Sequence, residues 1–317
     1  MARIVIFFLL TLLSSCSFNN KPGKTETITI FHAGSLSYPF RQVIKVFNED
    51  YPHIKVQTES SGSVAGARKI TDLNRICDIY ATADYKVVEE LLYPRHADWY
   101  IAFAGNELSV VFHESSKYAS EINAENWMEI LMRSDVRFGR SDPDSDPCGY
   151  RTLLMWQLAA SYYNQPAFYE QMLVKDTRFI RPKEVDLLAL LETQTIDYIF
   201  LYRSVAKQHG LNYLQLPDKI HLGKPEFAGN YQTASVSVRG TVPGETITFY
   251  GEPMVYAVSI PFEAPNPEAA ELFLQFLLDP EKGLKIMEEN GQPPLMPPFS
   301  DNYSGLPHSL RKFLITN

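Results

Sequence analysis

Ser141-Asp-Pro-Asp-Ser-Asp-Pro-Cys-Gly-Tyr-Arg151 puts three carboxylates, two prolines and a glycine within eleven residues. Proline removes a backbone donor, and Asp and Ser bond their own backbone in turns, so the run is a loop rather than a strand. It follows an apolar segment ending at Phe138-Gly139 and leads into an apolar stretch from Thr152 to Tyr163, which sets it at a strand-to-helix junction. Asp146 and Pro147 stand where an N-cap and a first helical residue belong. The start of a helix offers unpaired N–H groups and partial positive charge, the chemistry of an anion site. Ser35, Ser63 and Glu184 occupy similar turns elsewhere in the chain. Capping explains any one such turn; four of them raise the alternative of a shared anion site.

The elements that would position these groups alternate. Thr27 to Phe31 reads as a strand, and Leu36, Phe40, Val43 and Phe47 recur at helical spacing. Ile54 to Val56 is a second strand, and Val64, Ala67, Ile70 and Leu73 predict a second helix. Cys77 to Ala81 is a third strand, followed by a helix from Tyr85 to about Leu92. Further strands are expected at Asn106–His113 and Ile196–Tyr202. Helices are expected around Trp127 and Leu154, from near Glu184 through Leu191, and over Ser204–His209. From Leu214 to Tyr256 short β-like runs prevail, with Phe249 to Ile260 the longest. Two helices follow, at about Glu268–Leu278 and Glu281–Glu289, and then a proline-rich end of undetermined structure. This alternation means βαβ units on largely parallel sheets, an α/β fold.

At 317 residues the chain exceeds one compact core, and two lobes are expected. Strands at Glu107–Phe112 and Met254–Ile260 bracket a middle segment. That predicts one lobe from residues 25–105 and 258–317 and a second from 106–257. Ligands of open α/β sheets bind beyond the carboxyl ends of strands, so two facing lobes would enclose a cleft. The net charge of −8, with no basic stretch, argues against nucleic acid but not against a small anion held by local dipoles. No zinc spacing occurs among the seven histidines, and Cys77 and Cys148 read as buried free thiols. No Gly-x-Ser-x-Gly elbow, P-loop or dinucleotide-binding glycine pattern is present.

Residues 1–16 read as an export signal: a positive start at Arg3, an apolar run from Ile4 to Leu13, then Leu13-Ser14-Ser15-Cys16. That tetrapeptide resembles the lipobox of bacterial lipoproteins, in which the cysteine is lipidated, so Cys16 is the expected anchor. Residues 17–24 are polar and form a tether.

His32-Ala-Gly-Ser-Leu36, Ser61-Gly-Ser-Val64 with Ala67-Arg68, Asp146-Pro-Cys-Gly-Tyr-Arg151, Arg181-Pro-Lys-Glu-x-Asp-Leu187 and Asp197-Tyr-Ile-Phe-x-Tyr-x-Ser-Val-Ala206 together resemble the molybdate/tungstate-binding proteins of ABC importers. They are most similar to the tungstate-type branch, and the likeness spans about Thr27 to Pro298. It implies the two-lobed periplasmic-binding-protein fold (type II), with mixed sheets flanked by helices and a ligand cleft between the lobes. It implies that Ser35 and Ser63 donate hydrogen bonds to the oxyanion and that Tyr202 lines the same site. It also implies that Asp146 and Glu184 add oxygens to the tungsten or molybdenum itself. The segment between the Asp146 and Glu184 motifs is shorter than the family pattern, which suggests a missing hairpin in the middle lobe.

The resemblance thus implies a non-catalytic, monomeric receptor without a cofactor. It would be exported, periplasmic or cell-surface, lipid-anchored through Cys16, and would deliver tungstate or molybdate to an ABC permease. A receptor for sulfate or phosphate is the alternative within this class. A secreted serine hydrolase using Ser35 or Ser63 is a further one, and it lacks a base partner.

Overall fold

The computed structural model describes residues 25–240, 242 and 244–314. The export signal, Cys16 and the tether lie outside these residues. From the N-terminus the strands are β1 (Glu26–Ala33), β2 (Ile54–Ser61), β3 (Ile79–Thr82), β4 (Ile101–Gly105) and β5 (Leu108–Phe112). Next come β6 (Phe138–Ser141), β7 (Ile180–Arg181), β8 (Tyr198–Tyr202) and β9 (Asn212–Tyr213). The last are β10 (Ser235–Arg239), β11 (Thr246–Tyr250), β12 (Val255–Ser259) and β13 (Pro294–Ser300). They form a six-stranded sheet in the order β13-β4-β12-β3-β1-β2, a five-stranded sheet in the order β7-β6-β8-β5-β9, and the separate hairpin β10-β11.

Both sheets are mixed. β1 runs parallel to β2 and β3, while β12 is antiparallel to β3 and β4. In the second sheet β6 runs parallel to β7 and β8, and β5 is antiparallel to β8. Parallel strands need helical crossovers that cover the faces of the sheet. The helix Ser37–Asp50 supplies one, burying Phe40, Val43 and Phe47. Phe47 meets Phe273 of the helix Pro267–Leu277 edge to face, with ring centroids 5.2 Å apart. In the second sheet Trp156 and Phe138 both meet Phe200 edge to face, at 5.2 and 5.6 Å. Such pairs add about 0.5–1.5 kcal/mol each beyond burial. The helix Pro147–Tyr162 is apolar on nearly all sides and buried along most of its length, as its sequence requires.

The four polar turns all lie just beyond carboxyl ends of strands. Ser35 follows β1 and Ser63 follows β2, both in the larger sheet. Asp146 follows β6 and Glu184 follows β7, both in the smaller one.

Several expectations need correction. The second helix ends at Thr71, and Leu73, expected on its apolar face, is 67% exposed. The helix expected from Tyr85 to about Leu92 is present from Lys86, with wide i→i+5 turns over Val88–Leu92. The run Phe249–Ile260 is two strands, not one: Gly251-Glu252-Pro253 breaks it, and β11 and β12 belong to different sheets. The proline-rich end is ordered as β13, at the sheet edge, where the missing N–H groups of Pro294, Pro297 and Pro298 cost no ladder bonds. β12 pairs along its whole length in the larger sheet, and the expected boundary at 257/258 falls inside it.

Candidate oxyanion site

Asp146 has an extended backbone and caps the helix Pro147–Tyr162, its Oδ1 accepting from the N–H of Cys148 at 3.2 Å. Its Oδ2 accepts from the N–H of Glu184 at 2.9 Å. One carboxylate thus ties together the turns after β6 and β7. The other three polar turns are not side-chain caps: the N-cap positions there are Ala33, Gly62 and Lys183, none with a side-chain hydrogen bond. Capping therefore explains Asp146 but not Ser35, Ser63 or Glu184.

The two sheets bring these turns into contact. A methyl group built on Gly34 would lie 2.8 and 2.9 Å from the two carboxylate oxygens of Glu184. Ser35 adjoins that glycine and lies beside the same carboxyl. Gly62, next to Ser63, approaches the other loop still more closely: a Cβ there would sit 2.3 Å from the Ser145 carbonyl oxygen and 2.9 Å from Asp146 Cβ. The Ala65 N–H also donates to the Ser145 carbonyl at 3.0 Å. Gly62→Ala should therefore push the two turns apart. We expect a loss of about 1–3 kcal/mol in denaturant unfolding, as for overpacking against backbone. A loss below about 0.5 kcal/mol would mean that the turns separate freely.

Ser35, Ser63, Asp146 and Glu184 are each about 1% exposed and Tyr202 is fully buried, so the turns are shut off from solvent. Ser63 Oγ accepts from the Ala83 N–H at 3.0 Å, and its carbonyl accepts from Tyr80 Oη at 2.6 Å. Ser35 Oγ accepts from Tyr256 Oη at 3.0 Å. Both serines therefore have their protons free for another acceptor. Tyr202 stands at the end of β8 beside Arg151, whose Nη1 lies 3.5 Å from its hydroxyl.

The acidic pair is unusual. Both carboxylate oxygens of Glu184 are buried without a hydrogen-bond partner. Burial pushes its carboxyl well above the ordinary value, and the Asp146 charge pushes the same way. Burial also raises Asp146, against the hydrogen bonds it accepts. Unpaired buried carboxylates are costly, so burial favours the protonated form of this pair when no ligand is bound.

Sequence reasoning missed a second buried cluster. Asp84, just after β3, pairs with Arg151 Nη2 at 2.8 Å and accepts from Tyr150 Oη at 2.6 Å. Arg151 Nη1 also donates to the Ala83 carbonyl at 2.7 Å. This ion pair spans the two sheets behind the polar turns. Tyr150 and Arg151 stood in a recognised motif, but nothing in the sequence around Asp84 marks it as their partner. Cys77 and Cys148 are both buried and free, as expected. Among the described residues no cluster of three or more metal-ligating side chains exists, and no helix is long and apolar enough to cross a membrane.

Residues 28–291 match the family model of bacterial extracellular solute-binding proteins. The chain is 48% identical over 291 residues to a solute-binding protein of Petrotoga mobilis, covering 92% of this chain and 90% of the relative. It is 41% identical to the molybdate/tungstate-binding protein of Pyrococcus abyssi, covering 98% and 96%. It is 42% identical to that of Thermococcus kodakarensis, covering 94% and 90%. Among solved structures, the molybdate-binding protein of Azotobacter vinelandii superposes with a TM-score of 0.55 at 15% identity, covering 84% of this chain and 98% of that one. These structural likenesses establish the periplasmic-binding-protein fold, and family and fold together are those of a binding protein rather than an enzyme. With its buried polar turns at the carboxyl ends of strands from two mixed sheets, the chain belongs to the bacterial extracellular solute-binding proteins.

Proposed function

We propose that this protein captures tungstate or molybdate and delivers it to an ABC permease, with Ser35, Ser63, Asp146, Glu184 and Tyr202 forming the site. The observation that carries this reading is the Glu184 carboxylate, buried beside Asp146 with no donor on either oxygen. An unprotonated oxyanion seeks donors on all its oxygens, and bare carboxylates would repel it. Two carboxyl groups suit such a site only if they stay protonated or bond the metal centre, and hard, high-valent metals accept oxygen ligands. Asp146 and Glu184 would then complete the shell of the bound metal, while Ser35 and Ser63 donate to its oxygens. The relatives named for molybdate and tungstate support the choice of ligand.

The reading is tested by thermal unfolding against tungstate, molybdate, sulfate, phosphate and chromate. A ligand at a thousand times its Kd adds roughly 4 kcal/mol. For this length that raises the midpoint by on the order of ten degrees. If no oxyanion shifts the transition, the proposal fails. In calorimetric titration, Ser35→Ala and Ser63→Ala should each cost about 1.5–3 kcal/mol of binding, the worth of a hydrogen bond to a charged oxygen. Unchanged affinity in both would remove the serines from the site.

The larger sheet, with residues 25–105 and the chain from just before Val255, would form one lobe, and the middle segment the other, in a monomer. At the N-terminus Cys16 would carry the lipid anchor of an exported protein. Cys16→Ser should then move the protein from the detergent phase to the aqueous phase on partitioning, because stable attachment requires more than one acyl chain on that residue. Partitioning that does not change would rule out the anchor.

A further inference from the structure

Asn106 and Tyr256 lie outside the anion-facing turns, yet they form a hydrogen-bonded chain that ends on Ser35. Asn106 sits at the junction of β4 and β5, and Tyr256 lies on β12. Chemistry fixes the direction of the chain. Asn106 Oδ1 accepts from the N–H of Glu107 at 2.9 Å and from that of Ser204 at 3.4 Å. Backbone N–H groups only donate, so the opposite end of the amide is its NH2. That group donates to Ser204 Oγ at 2.7 Å and to Tyr256 Oη at 2.8 Å. Tyr256, having accepted from an obligate donor, passes its own proton to Ser35 Oγ at 3.0 Å. The Ser35 carbonyl is held separately, accepting from Gln292 Nε2 at 2.9 Å. Asn106, Tyr256, Ser35 and Ser204 are all buried, so bulk water does not compete for these bonds.

We propose that Asn106 and Tyr256 are positioning residues for oxyanion binding, a relay that keeps the Ser35 proton pointed at the ligand. The inference rests on the reading of Ser35 as a ligand to the oxyanion. A serine hydroxyl can present either its proton or a lone pair, and only the proton stabilises an unprotonated anion. Because Tyr256 donates to Ser35, the Ser35 proton cannot turn back toward Tyr256 and is left for the bound anion. The relay starts where the chain passes from the larger sheet to the smaller one. Through Ser204 it also touches the helix that follows β8.

The two variants act differently. Tyr256→Phe removes the donor and leaves Ser35 free to rotate. Asn106→Asp puts an acceptor where the NH2 stood; the Tyr256 proton then turns toward residue 106, and the Ser35 proton turns toward Tyr256. The test is calorimetric titration of the full chain with tungstate, for wild type, Ser35→Ala, Tyr256→Phe, Asn106→Asp and each of the last two combined with Ser35→Ala. Asn106→Asp should weaken binding about as much as Ser35→Ala, roughly 10- to 100-fold, and Tyr256→Phe should weaken it less. In the Ser35→Ala background neither substitution should weaken binding further, because the relay acts only through that hydroxyl. Losses that persist undiminished in that background mean a structural role and overturn the relay, as does wild-type affinity in both single variants. If Asn106→Asp fails to fold, Tyr256→Phe, which removes a single oxygen, decides by the same comparison. A Ser35→Ala defect without any Tyr256→Phe or Asn106→Asp defect defeats the relay alone; a wild type that binds no oxyanion defeats the ligand reading and the relay together.

Discussion

Glu184→Gln should weaken tungstate and molybdate binding by at least about 100-fold, and Asp146→Asn should do the same. If the two carboxyl groups merely border a hydrogen-bonded oxyanion, the amides would remove repelling charge, and affinity for every dianion would rise or hold level. If each gives an oxygen to the metal, an amide is a poorer ligand. Losing a direct ligand costs more than the 10–100-fold typical of outer-shell partners. Sulfate, whose sulfur does not expand its coordination in this way, should bind poorly to wild type and variants alike. Calorimetric titration with all three anions distinguishes the cases. The Glu184 carboxyl is held above its ordinary value of 4.5 by burial and then by Asp146. Its folded value exceeds its unfolded one, so its contribution to the ligand-free form is complete below that value and is lost as pH rises. Glu184→Gln should flatten this decline in unfolding midpoint as pH rises above about 4.5.

The second large effect concerns Arg151. Arg151→Met should destabilise the folded chain by about 3–5 kcal/mol, because it leaves Asp84 buried without its cation. Arg151 and Asp84 are 2% and 6% exposed, so solvent does little to screen the pair. Tyr150 Oη and the Lys86 N–H would remain on the carboxylate, but neither carries charge. Denaturant unfolding of the ligand-free chain measures the loss. Replacing both partners, Arg151→Met with Asp84→Leu, should recover most of it, since an apolar pair of similar size needs no compensation. A single variant as stable as wild type would mean that the ion pair does not hold the sheets together.

Much of this was legible in the sequence, for physical reasons that differ by residue. Phe40, Val43 and Phe47 declare a helix because their spacing matches its period, and all three are buried. Asp146 and Pro147 mark a helix start because few residue pairs suit that backbone so well, and Asp146 does cap it. β4 was not foreseen: Ile101 to Ala104 is buried on both faces and so lacks the alternation that identifies a strand. Nor was β13, since its prolines read as a break unless the strand is known to lie at an edge.

At the site, Ser35, Ser63, Asp146, Glu184 and Tyr202 stood in recognisable motifs. Their partners did not. Asp84 meets Arg151 across 67 positions of chain, and Tyr256 meets Ser35 across 221. Contacts of that separation follow from the pairing of β12 with β3 and β4 and from the apposition of the two sheets. No local pattern encodes them. The bare Glu184 oxygens are also a property of packing, because the close approach of the Gly34 turn brings that carboxylate against a chain segment far away in sequence.

The most direct test of the proposed chemistry is X-ray absorption at the tungsten edge of the protein bound to tungstate. Coordination by Asp146 and Glu184 requires six oxygens around the metal, with the two added ones lost in the Asp146→Asn, Glu184→Gln double variant. A regular four-oxygen shell in the wild type would contradict it and leave recognition to hydrogen bonds alone.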